Sequence, residues 1–412
     1  MEVSQVSRTF IFAYQPCYGE TGGGQGVVYR LYQANKKYSL LNNAYFVFGD
    51  RVIQGNNDSG PLAEKKKKSS SVVKAFITRN IPGFVKVRQY EKNYLRLQSY
   101  MKKLGETYHF TCDDIYIFHD LQFARSFVNL YSFPKCIMVI HTQGSFYNEW
   151  RASHGYDCIA VKKYYESCYE QIISNMHYIG FPSEGAKNSF FESENELRKY
   201  EAKCQYCFLY NGVNCPDINL ADCSKWIKEL QRFKGYIFTT VATLNTAKAV
   251  ERIPQYLGQV KSSGINFKWV LVGNGVQAET VALEIEKAGI QKETIWIKDY
   301  MSHEEILQLF SISDFYILFH KYSIFDLSTL EAMYYGGIPI LTPVGGNLEV
   351  IKDGSGLFVS DFNDTAGLID ILDGDLDEMK MKNRAIQKEY FDDKAFLKRY
   401  TEFCDSMEGN KK

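Results

Sequence analysis

The sequence predicts an α/β protein of two Rossmann-like, doubly wound domains. Three observations lead there. Short apolar runs alternate with amphipathic helical patterns through the second half, at the spacing of strand–helix–strand units. The first half repeats that alternation more loosely. A chain of 412 residues is also too long for one ordinary core and comfortable for two.

Taken in order, residues 9–14 read as a strand, and Gly22, Gly23 and Gly24 lead into a helix carrying Val27, Val28, Leu31 and Ala34. Further apolar runs follow at 44–48, 116–118, 137–140 and 178–179. Residues 1–210 are assigned to this first domain. Asn-Gly and Pro punctuation within 207–216 marks a connector, where the hinge is expected. The second domain, 211–385, carries strand-like runs at 236–240, 269–272, 295–297, 315–319 and 338–341. Its clearest helix aligns Val250, Ile253, Leu257 and Val260, with Pro254 in the first turn, where a missing N–H costs little. Val281, Ile285 and Ala288 form a second stripe, and Ile306, Leu309 and Phe310 a third. The last helical stretches, 376–390 and 394–407, have no strand after them, and residues 386–412 are expected to pack back across the hinge.

Residues 323–339, SIFDLSTLEAMYYGGIP, say most about function. The segment opens as a loop, becomes a helix near Ser328 and stops at Gly336-Gly337, before the strand at 338–341. Doubly wound sheets gather ligands at the carboxyl ends of their strands, and this loop follows such an end. A helix entered there directs backbone N–H groups and the positive end of its dipole at whatever precedes it, which makes a phosphate site. Glu331, one turn in, stands where a carboxylate can accept hydrogen bonds from a sugar hydroxyl beside the phosphates.

Charge adds a second lead. Lys and Arg balance Asp and Glu at 48 each, yet residues 65–103 carry twelve Lys or Arg against the single acid Glu91. The run 65–68 followed by three serines reads as a loop. The helix after it places Tyr90, Tyr94, Leu97, Met101 and Leu104 on one side and Lys92, Arg96, Lys102 and Lys103 elsewhere. A cationic amphipathic surface suits an anionic membrane face; a solvated face over a core helix fits the same pattern. No nucleic-acid recognition motif accompanies it, and no run is long enough to span a bilayer. Ten cysteines without a signal peptide suit a cytoplasmic chain. Cys204 and Cys207, with Cys215 and Cys223, match no common zinc spacing. No metal is expected.

In this order the fragments resemble the family 4 glycosyltransferases (glycosyl transferases group 1) of the bacterial surface-polysaccharide type, which have the two-domain GT-B fold. The resemblance covers nearly the whole chain and is strongest from 236 to 359. Lys248, in VATLNTAK, matches the family's lysine, and Gly273-Asn274-Gly275 its Gly-rich strand end. Glu331 matches the second of two glutamates eight positions apart, and Gly345-Gly346 with Glu349 the element that follows. Gly22, Gly23 and Gly24 match the glycine loop that approaches the donor, and His141 the usual histidine. Two positions depart: Ser323 replaces the first glutamate and Thr243 an arginine.

The resemblance implies a retaining transfer of a sugar from a nucleotide-diphosphate donor, with a UDP-sugar expected, to a hydroxyl of a saccharide acceptor. It assigns catalytic roles to His141, Lys248 and Glu331. Donor contacts fall to Gly22, Gly23, Gly24, Gly273, Ser323, Phe325, Asp326, Leu327, Ser328 and Glu331. Joined to the basic first domain, it implies a lipid-linked acceptor at the inner face of the plasma membrane, in capsule, exopolysaccharide or O-antigen synthesis. The nucleotide sugar is a substrate, so no cofactor is expected. A non-catalytic partner subunit, a nucleotide-sugar epimerase and a sugar phosphorylase of similar fold stay open.

Overall fold

The computed structural model describes residues 7–18, 23–57, 60–63, 81–142, 144–193 and 195–409. Contacts divide the chain into two units. One comprises Met1–Glu184, Phe190–Asn211 and Asp393–Lys412, the other Gly185–Ser189 and Gly212–Asp392.

The sheet of the first unit contains β1 (Thr9–Phe12), β2 (Ala44–Val47), β3 (Val52–Gln54), β4 (Ile115–Phe118), β5 (Cys136–Val139), β6 (Tyr178–Phe181) and β7 (Gln205–Phe208), in the order β3-β2-β1-β4-β5-β6-β7. Neighbours are parallel except β2 and β3. Alternation decides which side each residue faces. Phe10 and Phe12 stack on Tyr116 and Phe118 of the neighbouring strand, with ring centroids 5.7 and 4.7 Å apart. Ile11, Ile117, Ile137 and Val139 point the other way, into a core shared with α1 (Gly23–Tyr38) and the final helix, Asp393–Gly409. Helices α2 (Gly83–Tyr108), α3 (Leu121–Val128), α4 (Phe146–His154), α5 (Ile159–Ile173) and α6 (Glu184–Ser193) follow in sequence.

The second sheet is parallel throughout. It contains β8 (Tyr236–Val241), β9 (Phe267–Val272), β10 (Thr294–Ile297), β11 (Phe315–Leu318), β12 (Ile338–Leu341) and β13 (Leu357–Phe358), in the order β10-β9-β8-β11-β12-β13. Helices α7 (Lys225–Gln231), α8 (Ile253–Ser262), α9 (Ala278–Lys287), α10 (His303–Ile312) and α11 (Leu327–Tyr334) lie between or before the strands. Trp269, fully buried, donates its indole N–H to Thr240 Oγ1 at 3.0 Å, and Thr240 in turn donates to the Ile317 carbonyl at 2.7 Å. Both sheets reverse strand order at one place, between β1 and β4 and between β8 and β11. Doubly wound folds bind ligands at such reversals.

Several sequence expectations need correction. The connector expected at 207–216 begins inside β7, because Cys207 and Phe208 pair with Gly180 and Phe181. Strands β3 and β13, of three and two residues, are too short to show alternation and were not expected. Leu376–Tyr390 lies whole in the second unit, whereas Asp393–Gly409 lies in the first. On α2 the expected apolar stripe faces inward: Tyr94, Leu97, Met101 and Leu104 are buried. Lys86 is buried as well, its ammonium on the Tyr156 hydroxyl and over the Tyr156 ring. The outer face keeps Arg88, Lys92, Arg96, Lys102 and Lys103. The lysine run 65–68 lies outside the described residues. Among the described residues no helix is long and apolar enough to cross a membrane.

Candidate functional site

The order reversal of the second sheet brings two loops together, one after β8 and one after β11. Asn245 shapes the first. Its side-chain oxygen accepts the backbone N–H of Ala247 and of Lys248, each at 3.0 Å, an Asx-type turn that ends at Ala249 with φ 47°. The Lys321 N–H donates to the Ala247 carbonyl at 2.9 Å and ties the two loops. Lys248 Nζ donates to Asp326 Oδ1 and lies 3.2 Å from His320 Nε2. Asp326 Oδ2 accepts from Tyr316 Oη at 3.1 Å and from Thr329 Oγ1 at 3.2 Å.

This cluster is nearly dry, with the Lys248 and Asp326 side chains 14% and 11% exposed. Burial alone would raise the Asp326 carboxyl, but the adjacent Lys248 ammonium overrides it and holds the group at about 2. Burial first, then Lys248, lowers His320 to about 3, so its ring is neutral. Asp326 stands at the N-cap of α11 without capping it, because its oxygens are committed to side chains. The helix ends in a tight turn in which Gly336 takes φ 95°, and β12 follows.

Glu331 sits on the buried side of α11 at 5% exposure, and its Oε1 lies 3.0 Å from Nε2 of the half-exposed His303. Leu327 and Ser328 form the half-buried first turn. Phe325 points into the core, with its ring centroid 5.2 Å from that of Phe391. Ser323 is 1% exposed, and its Oγ has no hydrogen-bond partner among the described residues. Its carbonyl accepts the Gly346 N–H at 3.0 Å. Gly273 takes φ 143°, and a Cβ there would lie 1.9 Å from the Ala242 carbonyl oxygen. Only glycine lets β9 turn this close to the loop after β8. Thr243 is exposed.

The first sheet has its own reversal, and the remaining expected residues lie there. Gly22 falls outside the described residues; Gly23 opens α1. A Cβ on Gly24 would lie 2.4 Å from the His119 carbonyl oxygen, so the glycine permits α1 to start against the end of β4. His141 follows β5, and its Nε2 is 2.7 Å from Nδ1 of the buried His119. Burial lowers His141 to about 4, and burial first, then the neighbouring His141, lowers His119, so the pair is neutral at pH 7. A cavity of about 390 Å³ opens beside them, lined by Gly24, Gln122, Glu149, Trp150, His154 and Tyr165 among others.

Asp120 is structural: its Oδ1 accepts the N–H groups of Gln122 and Phe123 and caps α3. His119 instead contacts His141. The partners His303 and His320, and the pairing of Asp326 with Lys248, were not anticipated. His320 lies two positions past β11, and His119 one past β4, so its place just after a strand was the available signal. Among the described residues no cluster of metal-ligating side chains occurs.

Residues 224–390 match the family model described as glycosyl transferases group 1. The N-acetyl-alpha-D-glucosaminyl L-malate synthase of Bacillus anthracis is 26% identical over 134 residues, a stretch covering 32% of this chain and 34% of that protein. Sucrose-phosphate synthase from Thermosynechococcus elongatus matches in structure with a TM-score of 0.64 at 15% identity, covering 97% of this chain and 99% of that one. Anabaena HepE, solved in complex with UDP-glucose, matches with a TM-score of 0.60 at 14% identity, over 97% and 99%. The structural likeness establishes the fold, two parallel α/β sheet units. The segment 224–390, which holds Lys248, Asp326 and Glu331 around one sheet reversal, is similar to the glycosyl transferases group 1 family.

Proposed function

We propose that the protein is a glycosyltransferase that moves a sugar from a nucleoside-diphosphate donor to a hydroxyl of a saccharide acceptor, with retention at the anomeric carbon. The observation that carries this reading is the convergence of Lys248, the start of α11 and Glu331 at the reversal of the second sheet. The diphosphate leaves as an anion, so charge stabilisation serves it better than a general acid. In this reading Lys248 and the backbone N–H groups of residues 326–328 receive it, and the Glu331 carboxylate accepts the ribose hydroxyls. HepE was solved with UDP-glucose, which makes a UDP-sugar the first donor to try.

The proposed acceptor is lipid-linked, in surface-polysaccharide synthesis on the cytoplasmic side of the membrane. Arg88, Lys92, Arg96, Lys102 and Lys103 on the outer face of α2 support it. Cations at an anionic surface contribute about 1 kcal/mol each before screening. Sedimentation with anionic vesicles, little with neutral ones, and release by salt are expected. Equal binding to both, or none, would favour a soluble acceptor.

A second reading, a non-catalytic partner of another transferase, draws support from Ser323 and from the Lys248–Asp326 pair, which occupies the cation. A thermal-shift screen of nucleotide sugars, followed by hydrolysis and transfer assays on the best ligand, separates the two. Binding without turnover would point to the partner subunit; no binding of any nucleotide sugar would sink the donor-site reading.

A further inference from the structure

The anion site at the start of α11 already holds an anion. The Asp326 carboxylate accepts from Lys248 Nζ, from Tyr316 Oη at 3.1 Å and from Thr329 Oγ1 in the first turn of the helix, at 3.2 Å. These are the positively polarised groups that a phosphate would seek. Two buried polar atoms in the segment that follows β11 are left without a partner among the described residues. His320, 1% exposed and 3.2 Å from Lys248, leaves its Nδ1 without a partner among the described residues. The buried Ser323 Oγ is unpartnered too. Buried polar atoms are rarely left so unless a ligand or water completes them.

We propose that Asp326 is a specificity-determining residue that limits how much negative charge the site accepts, and so favours a nucleotide sugar over the nucleoside diphosphate released from it. This rests on the donor-site reading above. A terminal phosphate has a second ionisation near pH 6, so a free nucleoside diphosphate carries about one more negative charge at pH 7.5 than its sugar ester. A fixed carboxylate sharing the same ammonium penalises that extra charge. The penalty falls on the product, whose departure it promotes. Asp326 stays ionised throughout the physiological range, so the discrimination does not switch off.

The test uses the full chain and two isosteric or smaller changes, Asp326→Asn and Asp326→Ser. Either keeps a polar group for Tyr316 and Thr329, and thermal unfolding shows which of them is folded. UDP, GDP, ADP and CDP are screened on the wild type, and the tightest is titrated calorimetrically alongside its glucose ester at pH 7.5 and low salt. The folded variant should bind the diphosphate about tenfold more tightly or better, and the glucose ester with a smaller gain. Equal gains for both ligands, no change, or weaker diphosphate binding would overturn the proposal. Failure of wild type and variant alike to bind any of the four would overturn the donor-site reading, and the proposal with it.

Discussion

His119 Nδ1 and His141 Nε2 are 2.7 Å apart, with the two rings nearly parallel and their centroids separated by 5.0 Å. One nitrogen must donate and the other accept, so the pair shares a single proton at its centre and both rings are neutral. Burial lowers both groups, His141 to about 4. The unfolded chain therefore binds more protons between about pH 4 and the usual histidine value near 6.5. Stability should be complete above pH 7 and fall as pH drops through that window, by up to about 1.4 kcal/mol per pH unit for each histidine. Urea unfolding at pH 7.5, 6 and 5 measures this. The double change His119→Gln, His141→Gln should flatten the slope, and an unchanged slope would refute the assignment.

Glu331→Ala should weaken nucleoside-diphosphate binding by about ten- to a hundredfold, the loss expected when charge-assisted hydrogen bonds worth roughly 1.5–3 kcal/mol disappear. His303 is the control. It faces Glu331 at 3.0 Å but remains half exposed, so His303→Ala should cost less than tenfold. Calorimetric titration distinguishes them, and equal losses would assign the effect to the pair instead of to the carboxylate.

Lys248→Met should reduce transfer on the order of a hundredfold, while donor binding changes less, because charge on the leaving diphosphate grows toward the transition state. The variant also strips Asp326 of its buried partner, which destabilises the fold. Lys248→Met with Asp326→Asn removes both charges, should recover most of that stability and should remain slow. Recovery of the rate in the double variant would remove Lys248 from catalysis.

Gly273→Ala should destabilise the second unit by about 2–4 kcal/mol, the range for a side chain forced into a disallowed backbone conformation and a hard contact. The new Cβ would meet the Ala242 carbonyl oxygen at 1.9 Å. Urea denaturation reads the loss. A change within 0.5 kcal/mol would mean that the loop after β8 yields freely.

Strands were legible where several apolar residues run together and a helix follows, as at Ile338–Leu341. Such runs need no partner to be read. Strands β3 and β13 depend on their neighbours for their extended backbone, and so did not show. The site was legible where a residue type and a local motif coincide, as with Glu331 on its helix. The pairings across the sheet within the candidate site were not. Lys248 and Asp326 are 78 positions apart, and nothing local in either segment reveals that one neutralises the other. The basic helix was legible as two faces, because 3.6-residue periodicity separates its buried Tyr94, Leu97, Met101 and Leu104 from its exposed cations.

The first unit is assembled from separate stretches of chain, and its core includes Phe396, Leu397 and Tyr400 beside Val28 and Leu31. A ribosome delivers those three residues only after the entire second unit has been made. The leading sheet must therefore wait, with an apolar flank open, while the later one folds. Synthesis order and folding order are thus opposed in this protein. Substitutions that weaken the final helix should show first as aggregation of newly made chains, before any loss of activity in molecules that have already closed.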